Sequence, residues 1–121
     1  MSTLTIYEQL SVERKRLQAH GEVPAWFTTG GYQMYKQKYQ VGNQTVSDTY
    51  ERIARAAAKH MPNPEEWQGK FYDVMWKGHL GLSTPILANM GTNRGMPVSC
   101  SGQLVDDSIS DFYMSAHELA V

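Results

Sequence analysis

The spacing of apolar residues changes character at Gly81, and that change limits what the chain can fold into. Before Gly81 the apolar positions recur with a helical period. After it they fall into short runs separated by breakers. Ser83 to Ala88 and Met96 to Val105 have the length and composition of strands. Asn89, Gly91, Thr92, Asn93, Arg94 and Gly95 form a turn-rich connection between them. Pro97 fits only at the start of the second strand, because it cannot donate to a ladder. From Asp107 a helical pattern returns through Ile109, Phe112, Ala116, Leu119 and Ala120. So short a set of strands cannot bury its own faces or satisfy its edges. The expected fold class is therefore α/β, with a helical region over 1–80 and an unfinished sheet unit over 81–121. The chain also stops at Val121 inside a helical pattern with no C-cap signal, so a cut polypeptide is expected. A helix that frays at a true terminus is the alternative.

The helical region reads as four segments. Residues 4–20 form the first, with a break expected near Ser11 and Gly21 as its C′ residue. Tyr32 to Tyr39 is a short second helix after the small polar run Thr28 to Gly31. The third runs to about His60, capped by Ser47 or Asp48, with Tyr50, Ile53, Ala54, Ala57 and Ala58 as its apolar stripe. Asn63-Pro64-Glu65-Glu66 is a strong helix start: Asn63 caps, Pro64 takes N1, and Glu66 reaches back as in a capping box. That fourth helix runs to about Lys77. Trp67, Phe71, Val74 and Met75 lie on one side and Tyr72 and Trp76 on another, so burial on more than one face is expected.

Charge and composition exclude several function classes. Net charge is −1 with Lys and Arg scattered, so no basic stripe argues for nucleic acid. No apolar run is long enough to span a bilayer. MSTLTIYEQL lacks the order of a signal peptide. A single cysteine, Cys100, cannot form an internal disulfide, which suits a reducing cytoplasm. His20, His60, His79 and His117 have no metal-ligand spacing, so no metal site is expected.

Read from the residues alone, Cys100 is a small buried hydrophobe, since no local base would activate it as a nucleophile. Thr84 and Ser99 are strand and turn hydroxyls able to bond phosphate or sugar oxygens. Asp106, Asp107 and Ser108 offer N-cap chemistry ahead of Ile109. Arg94 reads as a solvated turn residue, and Tyr32 to Trp76 as core aromatics.

Ser83-Thr84-Pro85 followed by Met96-Pro97-Val98-Ser99-Cys100, with Asp107-Ser108 shortly after, resembles a known active-site block. It is that of the large (catalytic) subunit of class I ribonucleotide reductases, the aerobic diphosphate-reducing class. The likeness extends more weakly upstream through Trp67 to Gly78 and the LSVER segment at Leu10. It implies a helical N-terminal region followed by the first strands of a ten-stranded α/β barrel. It implies that ribonucleoside diphosphates are reduced to deoxyribonucleotides, DNA precursors, by a radical mechanism. Thr84 then matches a substrate-phosphate contact, Ser99 and Cys100 match contacts to the ribose, and Cys100 is one of a redox pair of thiols. Asp107, Ser108 and Ile109 match the start of the allosteric site where a deoxynucleoside triphosphate selects the base.

The partners implied are the C-terminal remainder of a split large subunit, which would carry the second redox cysteine, the radical-bearing cysteine and the acid–base glutamate. A small subunit would supply the radical and its metal cofactor; this chain would bind none. A thioredoxin- or glutaredoxin-type protein would be the reductant, and the completed large subunit would be a homodimer. The nucleotide-binding cone that begins many large subunits has no counterpart before Leu10. Two rival readings are a helical binding or assembly module with an inert, buried Cys100, and a small independent thiol enzyme.

Overall fold

Thr5 opens the first helix by a reciprocal cap. Its hydroxyl accepts the Glu8 N–H at 3.3 Å, and the Glu8 carboxylate accepts the Thr5 N–H at 2.7 Å. The computed structural model describes residues 3–121, and this helix, α1, spans Ile6–Ala19. It is continuous through Ser11, contrary to the expected break, because a serine inside a helix can leave its hydroxyl to solvent without interrupting the ladder. A short α2, Thr29–Met34, runs directly into a π-helical turn, Tyr35–Tyr39. α3 spans Val46–Ala58 and α4 Pro64–Trp76. α5 covers Thr84–Asn89 and α6 Ile109–Ala120.

The caps differ from two expectations. α3 is capped by Thr45, two residues before Ser47 and three before Asp48. Asp48 instead takes the N3 place and accepts the Thr45 N–H at 2.9 Å. At α4, Pro64 lies in the first turn as expected, but the Asn63 side chain makes no cap bond. Glu66 does not reach back, because its carboxylate pairs with Lys70 at 2.6 Å one turn on.

The core lies between α2, the π-helical turn, α3 and α4. Val23, Tyr32, Tyr35, Val46, Tyr50, Ile53, Ala54 and Met75 form one buried cluster. Ala54 is fully buried, and the small side chain lets α4 approach α3 closely, as the alanine-rich stripe implied. Polar groups inside are paired. The Tyr35 hydroxyl lies 2.8 Å from both the Gln44 carbonyl and the Thr49 hydroxyl. Burial pushes the Tyr35 phenol above its ordinary range and Tyr50 up to about 12, so both stay neutral donors at any physiological pH. Ser47 Oγ meets the Tyr72 hydroxyl at 2.9 Å across α3 and α4, and Trp26 Nε1 donates to the Trp76 carbonyl at 2.7 Å. Of α4, only Met75 is buried; Phe71, Tyr72 and Trp76 pack partly against the cluster. The helix therefore presents less apolar surface to the interior than its sequence predicts.

The strands expected after Gly81 are not present among the described residues, so the α/β class is corrected to all-α for what is folded here. Of the first of them, Ser83 to Ala88, all but the N-cap Ser83 is helical. Leu82, Ile86 and Met90 recur at four-residue spacing and, with Leu87, rest on the core, while Pro85 sits in the first turn, where its missing N–H costs nothing. A short apolar run reads equally well either way until its packing partner is known. Met96 to Val105 is extended but is not a strand. Its residues 97–105 make no backbone–backbone hydrogen bond among the described residues. A strand exists only as part of a ladder, and no second strand is at hand.

Candidate functional site

α5 is held at both ends by the helical core. At its start, the Tyr39 hydroxyl lies 3.2 Å from Thr84 Oγ1. At its end, Arg52 on α3 donates from Nη2 to the Leu87 carbonyl at 2.8 Å and from Nη1 to the Met90 carbonyl. The last carbonyls of a helix have no partner within it, so Arg52 acts as a cap delivered from another helix. Its Nε donates to Gln44 Oε1 at 3.2 Å, which fixes the guanidinium plane. Partial burial lowers the guanidinium's pKa, yet a group that starts so high remains a cation.

The chain then turns tightly against α3. Gly91 has φ +76°, and a Cβ there would come 3.1 Å from the Arg52 carbonyl oxygen and 3.2 Å from the Ala56 methyl. Thr92 Oγ1 donates to the Asn89 carbonyl at 2.7 Å, and Asn89 Nδ2 donates to the Met96 carbonyl at 3.0 Å. These bonds fix where the extended segment leaves the helical body. Arg94 is exposed, as expected.

The segment carries the remaining candidates outward. Ser99 and Cys100 are both exposed, and Ser99 Oγ lies 3.7 Å from Cys100 Sγ. The buried Cys100 of the rival module reading is thereby corrected, because among the described residues nothing packs over the thiol and it is exposed. Further on, Gln103 Nε2 donates to the Glu118 carboxylate of α6. Of the three N-cap candidates Asp106, Asp107 and Ser108, it is Ser108 that caps α6, accepting the Asp111 N–H at 3.1 Å. Asp107 and Ile109 flank it and are exposed. The structure thus sets Thr84 on the core and Ser99 with Cys100 on the segment that follows. Asp107, Ser108 and Ile109 cluster at the start of α6. No hydrogen bond joins the three groups among the described residues.

Beside Tyr39 and α5 lies a half-open apolar cleft of about 410 Å³, with Trp26, Met34, Leu80, Leu82 and Leu87 in its walls. Among the described residues no group of histidine, cysteine and carboxylate side chains has the arrangement of a metal site. No helix among them is long and apolar enough to cross a membrane.

Two residues that matter here were not singled out from the sequence. Tyr39 was legible only as one of several tyrosines on a short helix. Arg52 carried no signal, because its partners lie 35 and 38 positions away.

Comparison with curated proteins and with solved structures finds no match. A family model does match, over residues 25–95: that of the ribonucleotide reductase all-alpha domain. The match takes in the core cluster apart from Val23, together with the Arg52 clamp, Tyr39 and Thr84, and it ends before Ser99 and Cys100. The helices built on α3 and α4, with α5 on their flank, agree with an all-alpha domain, and with more than half its length matched the chain belongs to the ribonucleotide reductase all-alpha domain family.

Proposed function

We propose that the chain supplies the helical domain and the first part of the substrate site of a class I ribonucleoside-diphosphate reductase large subunit. The observation that carries this reading is the state of residues 96–105. The segment leaves a firmly anchored turn, is extended, has no ladder partner and holds Ser99 and Cys100 open to solvent. Leu104 is 89% exposed, and on α6 Ile109 is 76% and Tyr113 76% exposed. Apolar side chains left open in this way belong against something else. The rest of a barrel, with its strands beside 97–105, is the complement that satisfies both the backbone and these side chains.

In the completed enzyme Thr84 would bond the substrate's phosphates and Ser99 the ribose. Cys100 would be one of two thiols that are oxidised. The two thiols become a disulfide and release two electrons and two protons. The ribose C2′–oxygen bond breaks, the oxygen leaves as water, and C2′ gains hydrogen. A small subunit with its own metal cofactor supplies the radical that starts the reaction. A thioredoxin- or glutaredoxin-type dithiol restores the pair, consistent with a reducing cytoplasm. Asp107 would accept from an effector's sugar hydroxyl while Ser108 and Ile109 shape the start of that deoxynucleotide site, in a homodimer of the completed subunit.

Substrate protection tests the placement. In the assembled large subunit, iodoacetamide labelling at Cys100 is expected to slow several-fold when a ribonucleoside diphosphate and an effector are added, read by mass spectrometry. Equal labelling with and without nucleotide would place the thiol away from the ribose and end the proposal.

A further inference from the structure

The geometry points to Tyr39 as the residue that positions the Thr84 hydroxyl to donate to a diphosphate. The inference rests on the reading of Thr84 as a phosphate contact and adds a residue from the helical body to that site. The two hydroxyl oxygens are 3.2 Å apart, and neither has another hydrogen-bond partner among the described residues. Either hydroxyl can donate across this contact; we take the phenol, much the stronger acid, as the donor and Thr84 Oγ1 as the acceptor. That leaves the Thr84 hydrogen directed away from Tyr39. The Thr84 side chain is exposed, so its hydrogen is available to a phosphate oxygen. Without the phenol, the Thr84 hydroxyl can rotate and spend its hydrogen on nearby backbone.

The placement of Tyr39 is built into the fold. The Gln40 N–H bonds back five residues to the Tyr35 carbonyl at 2.9 Å, the signature of the π-helical turn. That wider turn is anchored in the core through the Tyr35 hydroxyl, which meets Thr49 and Gln44. Tyr39 itself is half-buried at the cleft. Arg52 meanwhile fixes the far end of α5. The π-helical turn and α5 each have their own anchor in the helical core, and these anchors bring the ring and Thr84 to 3.2 Å. Tyr39 is a positioning residue, acting through Thr84.

The test uses the assembled reductase, with this chain, the rest of the large subunit and the small subunit present. Tyr39→Phe is expected to raise KM for the ribonucleoside diphosphate about three- to tenfold, the range of one lost neutral hydrogen bond, with kcat nearly unchanged. Thr84→Val is expected to raise KM at least as much, and Tyr39→Phe added to Thr84→Val to do nothing further. The melting temperature of the Phe variant should match that of the parent, since the ring is kept. If Thr84→Val raises KM while Tyr39→Phe is silent, the positioning role is wrong and the reading of Thr84 survives. If Thr84→Val is silent, both fall. A Tyr39→Phe effect that persists in the Thr84→Val background, or that appears as a lower melting temperature, overturns the proposal in favour of a structural role.

Discussion

Cys100→Ser in the assembled reductase is expected to abolish repeated turnover with a dithiol protein as reductant, leaving stability unchanged. The two halves of that result have separate causes. Serine matches cysteine closely in size but cannot form a disulfide, so the ribose would lose one of the two thiols whose oxidation balances the departure of the 2′ oxygen. Little change in stability is expected because serine keeps nearly the size of cysteine and leaves no void where the thiol was. Deoxynucleotide formation over many turnovers, measured beside a thermal melt of the same sample, separates the two. Normal turnover in the serine variant would remove Cys100 from the chemistry. Lost turnover together with a large drop in melting temperature would show that the residue was doing structural work after all.

What could be read from the sequence was what local patterns encode. α1, α3 and α4 follow from apolar residues at helical spacing, and Pro64 in the first turn of α4 was legible too, while the caps expected at Ser47 or Asp48 and at Asn63 were not the ones formed. The N-cap of α6 was legible as one of three adjacent candidates, of which Ser108 forms it. α5 was misread because it holds too few residues to declare a period. Ile86 and Leu87, with Leu82 and Met90 just beyond the helix ends, reveal themselves as its core-facing side only once the core they rest on is in place. The extended segment shows the opposite case: its strand-like composition is real, but a ladder is a relation between two segments, and only one is here. The site's supports were illegible because they are long-range. Tyr39 meets Thr84 across 45 positions and Trp26 meets Trp76 across 50, and no local pattern announces either. Thr84, Ser99 and Cys100 were singled out by a motif, while the residues that hold Thr84 in place carry no motif.

Ile53 and its neighbour Arg52 are expected to fail in different ways when cut to alanine, and the difference measures how α5 is attached. Ile53 is 2% exposed in the centre of the cluster. Ile53→Ala removes buried methylene and methyl groups and leaves a cavity, a loss of about 3 kcal/mol in unfolding free energy. That corresponds to a melting temperature lower by about 10 °C for a domain of this size. Arg52 points the other way, to the Leu87 and Met90 carbonyls, from a position that is only partly buried. Its charge-assisted bonds are worth less there than in a dry interior, and Arg52→Ala is expected to lower global stability by about 1 to 2 kcal/mol. Its larger effect should be local. The Leu87 N–H, bonded to the Ser83 carbonyl, and the Met90 N–H, bonded to the Ile86 carbonyl, should exchange with solvent much faster, while α3 and α4 keep their protection. Ile53→Ala should instead accelerate exchange across α3 and α4 together. Denaturant unfolding and amide exchange on both variants check this. If α5 and the α3–α4 pair lose protection in step in both variants, α5 belongs to one cooperative unit with the core, and Arg52 is not the separate clamp that holds Thr84's helix in place.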